Sequence, residues 1–96
     1  QTDNTASTHK AFTIEHNAHG IIEPRRVLRA IHAAYQRPPS RALPPRVDKI
    51  YLTLEMFSAT ADHPDAIVAR MRESAAYWRQ AVPQDGRRLD ELIVLP

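Results

Sequence analysis

Hydrophobic and polar positions alternate in two stretches of the chain. From Lys10 to His16, Phe12 and Ile14 fall on one side and Ala11, Thr13 and Glu15 on the other, which predicts a short strand. From Val47 to Phe57 the alternation is longer, with Ile50, Leu52, Leu54 and Met56 set against Tyr51, Thr53, Glu55 and Phe57. One face of this predicted strand is wholly apolar. The other carries two aromatic rings, a hydroxyl and a carboxylate, which suits a sheet surface that is partly solvated or covered by another chain. Near the end, Leu89 to Leu95 contains the continuous apolar run LIVL, expected to be a strand buried on both faces.

Between these stretches the period becomes helical. After Pro24, placed where a first helical turn tolerates a missing N–H, Val27, Leu28, Ile31, Ala34 and Tyr35 share a face. Arg25, Arg26 and Arg29 fall on other faces, and Pro38 and Pro39 stop the helix near Gln36. A second helix is expected after Asp62 or His63 as cap and Pro64 in the first turn, with Ile67, Met71, Ala75, Trp78 and Val82 as its apolar stripe. Pro83 and the turn Gln84-Asp85-Gly86 end it. Residues 1–9 read as a flexible lead-in, Asn17 to Gly20 as a turn, and RPPSRALPPR, residues 37–46, as a stiff extended connection. Part of that connection resembles a polyproline ligand, but Val47 stands where the pattern wants its last proline, so a spacer is the expectation.

The order strand, helix, strand, helix, strand predicts an α+β fold, a two-layer α/β sandwich occupying residues 10–96 as one domain. Right-handed crossovers place both helices on one face of a three-stranded sheet, over Phe12, Ile14 and the Ile50 to Met56 row. A ferredoxin-like arrangement lacking a strand is the comparison. Its uncovered face would carry Tyr51 and Phe57, and its open edges would gain from added pairing.

Composition narrows the function. The share of apolar residues, 43%, with 25% charged, is that of a globular chain rather than a disordered one. The formal net charge of +2 leaves no uniform field to attract nucleic acid or a membrane surface, so any such attraction would need local clustering. Absence of cysteine excludes disulfides, thiolate metal sites and thiol nucleophiles. No apolar run approaches the roughly 18 to 20 residues needed to cross a bilayer. The opening Gln1-Thr2-Asp3-Asn4-Thr5 is neither a signal peptide nor a translation start, so the chain is expected to begin after a removed segment.

Candidate chemistry is sparse. Glu15, His16 and His19 form the tightest group of metal-ligand types, although a strand would put the first two on opposite faces and no characteristic ligand spacing is present. Glu55 is an unusual mid-strand carboxylate, a candidate acid or base. Arg25, Arg26 and Arg29 are the candidate phosphate-binding cluster for a nucleic-acid partner. With two glycines, nucleotide-binding loops that need clustered glycine are excluded, and the sequence calls for no cofactor. The leading expectation is a non-enzymatic protein-interaction or assembly domain, contacting its partner through Tyr51, Thr53, Glu55 and Phe57. A small enzyme or ligand-binding domain and a nucleic-acid-binding domain are the alternatives.

Overall fold

The structure, a computed structural model, describes residues 1–5, 8–42, 44–59 and 61–94. In chain order it contains α1 (Ile14–Asn17), α2 (Pro24–Tyr35), α3 (Pro64–Arg79) and α4 (Leu89–Leu92). Among the described residues there is no strand and no sheet. The expected α/β sandwich is therefore overturned, and with it the ferredoxin-like comparison and the uncovered sheet face. Each of the three predicted strands gives way for its own physical reason.

In the first, the chain is extended up to Thr13 and then turns into α1. The Thr13 hydroxyl accepts the His16 N–H at 3.3 Å and caps that turn. Donors that a ladder would have used go to side chains of α3: Phe12 N–H to Ser74 Oγ at 2.8 Å and Ile14 N–H to Glu73 Oε1 at 2.9 Å. In the second, residues 49–57 carry no helix or turn, but a single backbone bond, Phe57 N–H to the His9 carbonyl at 2.9 Å, ties them to another described segment. One bond is not a ladder. In the third, Leu89, Leu92 and Ile93 have i, i+3, i+4 spacing as well as continuity, and Asp90 and Glu91 favour a helix start electrostatically. The result is α4; Leu95 lies outside the described residues.

Both long helices form where proline, cap and period place them. α2 begins at Pro24 and ends at Tyr35, ahead of Pro38. α3 is capped by His63, whose Nδ1 accepts the Asp65 N–H at 3.1 Å. The buried line of α3 is turned from the expected stripe, since Ser74 is 0% exposed while Met71 and Ala75 lie open. The Ser74 hydroxyl donates to the Arg70 carbonyl at 2.7 Å and accepts from Phe12, so its burial leaves no unmet hydrogen bond.

The core is small. Leu28, Ala81 and Leu92 are buried together, flanked by Val82, Leu89 and Ile93, where α2 meets α4. A second cluster centres on Phe12, 6% exposed, stacked on Tyr77 at 5.9 Å and edge-on to Trp78 at 5.5 Å. Gln1, at the head of the stretch read as a lead-in, is buried. Its amide nitrogen donates to Asn17 Oδ1 and to the Ile22 carbonyl, both at 2.9 Å, and its Oε1 accepts the Ile22 N–H. Gly20 allows this approach, because a Cβ there would sit 2.1 Å from Gln1 Cδ. The radius of gyration, 15.6 Å, exceeds the roughly 13 Å of a compact domain of about 100 residues. Much of the chain is thus spread over a limited core.

Candidate interaction segment

The candidate site is the segment 44–57, which bends at Asp48 and carries no helix, turn or bend from Lys49 to Phe57. Pro44 and Pro45 lead into it without amide donors and with fixed φ, which favours extended backbone. The Arg46 guanidinium donates back to the Arg37 carbonyl. Beyond Arg46, exposure alternates: Ile50, Leu52, Leu54 and Met56 are less open, at 42% and 41% for the first two, than Tyr51 at 83% and Phe57 at 66%. That is the pleat of an extended chain, with its apolar row half turned toward the body.

The segment is anchored at its end. Beside the Phe57 N–H bond, the His9 and Phe57 rings stack at 4.6 Å, and His9 Nδ1 lies 3.8 Å from Glu55 Oε2. His9 has φ of 51°, the left-handed region that non-glycine residues seldom occupy. Asp62 fixes the following turn by pairing with Arg70 at 2.7 Å and accepting the Ala59 N–H at 3.1 Å. Beneath residues 51–55 runs a cleft of about 390 Å³, walled on the body side by Phe12, Ile22, Val27 and Trp78. Trp78 lines the cleft, while its Nε1 is buried without a hydrogen-bond partner, an uncommon state for an indole donor.

Tyr51, Thr53, Glu55 and Phe57, singled out by alternation, are all exposed on this one segment. Glu15 and His16 lie in α1 with His19 just after it; His16 Nδ1–H donates to the Ala11 carbonyl at 3.2 Å. Among the described residues no group of three or more His, Cys, Asp or Glu side chains is placed to hold a metal ion. Arg26 and Arg29 are exposed on α2 and Arg25 is half-buried. Farther along, Arg79, Arg87 and Arg88 pair with Asp85, Glu91 and Asp90. Bonding to Arg88 holds the Asp90 carboxyl below the usual carboxylate range.

Sequence reasoning missed His9 and Ser74. The His9–Glu55 contact spans 46 positions and leaves no local signal. Ser74 does leave one, since it stands seven residues after Ile67 and four before Trp78, on the line of a buried helix face. No helix among the described residues is long and apolar enough to cross a membrane.

The fold and the segment define a small helical domain that carries an unpaired extended arm. No protein-family model, curated protein or solved structure matches this chain.

Proposed function

We propose that this chain is a non-enzymatic protein-interaction domain that binds a protein partner by strand addition along residues 49–57. One observation carries the reading. Nine consecutive residues, 49–57, rich in aromatic and long apolar side chains, carry no helix, turn or bend and hold large apolar groups in water, and among the described residues only Phe57 has a backbone hydrogen-bond partner. Unpaired peptide groups on an extended apolar run are the template on which strand addition works: backbone bonds supply affinity and alternate side chains supply selectivity. Tyr51 and Phe57 supply the aromatic contact area that interfaces favour.

The test is the double variant Tyr51→Ser/Phe57→Ser. Its helical circular dichroism should match that of the parent chain, because neither ring belongs to the buried core. Its association, read by sedimentation of purified protein and by recovery of the tagged chain from its host cells, should be lost. A parent chain that is monomeric at every concentration and carries no protein from those cells overturns the reading.

A second reading, a small-ligand domain, is favoured by the cleft that Trp78 lines. Trp78 is the sole tryptophan, so its fluorescence would report a ligand bound in that cleft.

A further inference from the structure

We infer that the partner is a second copy of this chain, joined by antiparallel pairing of residues 49–55 about a two-fold axis at Leu52. The inference rests on the interaction reading above and adds partner, orientation and register.

The available edge comes first. In an extended run the N–H and C=O of successive residues point to opposite edges. Phe57 N–H reaches the His9 carbonyl, so odd-numbered residues face His9 and even-numbered ones face the other edge. On that edge Ile50, Leu52, Leu54 and Met56 have no backbone partner among the described residues. A symmetric pair using this edge can be centred on an even-numbered residue, in a hydrogen-bonded pair with its own counterpart, or on an odd-numbered one, in a non-hydrogen-bonded pair.

Side chains then fix which residue that is. Directly opposed residues in an antiparallel pair share a face, so even must oppose even if the apolar row is to stay together. With Leu52 opposite itself, Ile50 meets Leu54 of the second copy. On the other face Tyr51 meets Thr53 and Lys49 meets Glu55, and the two-fold axis repeats each contact. Centres at Tyr51, Thr53, Ile50 or Leu54 also keep the apolar row together, but each removes both Lys49–Glu55 contacts, so those contacts select Leu52. Lys49 is exposed and joins none of the ion pairs among the described residues, while the Glu55 side chain is 68% exposed. Both contacts would fall in non-hydrogen-bonded pairs, where opposed side chains come closest.

Sedimentation equilibrium of the full chain and its charge variants tests this. Lys49→Glu alone and Glu55→Lys alone each place like charges opposite one another twice, and each should weaken the dimer about ten-fold. An equimolar mixture of these two variants restores opposite charges at both contacts and should recover parental affinity, as should Lys49→Glu/Glu55→Lys in one chain. Helical circular dichroism verifies that every variant is folded. A dimer indifferent to these changes, or unrescued by mixing, overturns the register. A monomeric parent chain overturns self-association, and if it still recovers a different protein through Tyr51 and Phe57, the interaction reading stands without this inference.

Discussion

Two extended runs of this chain touch at His9 and Phe57, yet they have opposite fates. The run from Ala11 to Thr13 is buried against α3, its neighbouring peptide donors taken by Ser74 and Glu73. The run from Lys49 to Met56 has no such acceptors facing it among the described residues, and its side chains are at best half-buried. Both have strand-like alternation. What separates them is whether another element supplies polar atoms where the backbone needs them. A buried extended segment can be satisfied by side chains instead of a sheet, whereas an unsatisfied one must stay in water or find another chain.

Two phenylalanines measure that contrast. Phe12→Ala should cost about 3–5 kcal/mol in urea unfolding, the usual result of emptying a buried aromatic site. A loss of that size is a large part of the roughly 5–15 kcal/mol that holds a domain together. Phe57→Ala, the same truncation on the arm, should cost under about 1 kcal/mol, because its ring is mostly in water and stacks on His9 alone. Comparable losses at the two positions would mean that the arm is part of the core, and the contrast would fail.

A smaller effect isolates the polar side of the argument. Ser74→Ala removes the acceptor of Phe12 N–H with little change in volume. The buried donor left behind should cost about 1–3 kcal/mol. Hydrogen exchange at the Phe12 amide should accelerate more than global destabilisation accounts for. Unchanged exchange there would show that Ser74 is not what holds the extended run on α3.

Helices with proline starts and clean periods were legible in the sequence; extended segments were legible as extended but not as paired. Pro24, Pro38 and Pro64 bracket α2 and α3 by local sterics, so tertiary context had little to add. Alternation at Phe12 and at Ile50 to Met56 reports a pleated backbone with a drier side, but it does not say which atoms its amides find. The stretch from Leu89 carried two periods at once, and the acidic Asp90 and Glu91 favoured a short helix ending at Leu92, with Ile93 and Val94 in the turn after it. Of the candidate site, the exposed row from Tyr51 to Phe57 was readable from alternation alone. His9 was not, because it meets Glu55 and Phe57 through tertiary contact.

The smallest effect probes the rim of the packed half. Burial, and then the nearby Glu23 carboxylate, push the Tyr77 phenol above its ordinary value. With the folded-state pKa raised, the unfolded chain loses this proton first as pH climbs past about 10. Between the two pKa values the folded state binds more protons than the unfolded one, so stability declines with pH there and is level with respect to this group below. Tyr77→Phe keeps the ring against Phe12 and removes the ionisable hydroxyl. Urea midpoints taken at about pH 8 and about pH 11 should therefore fall less in Tyr77→Phe than in the parent chain. Equal declines would place the Tyr77 hydroxyl in open water, and the packed half would end at Phe12 and Trp78.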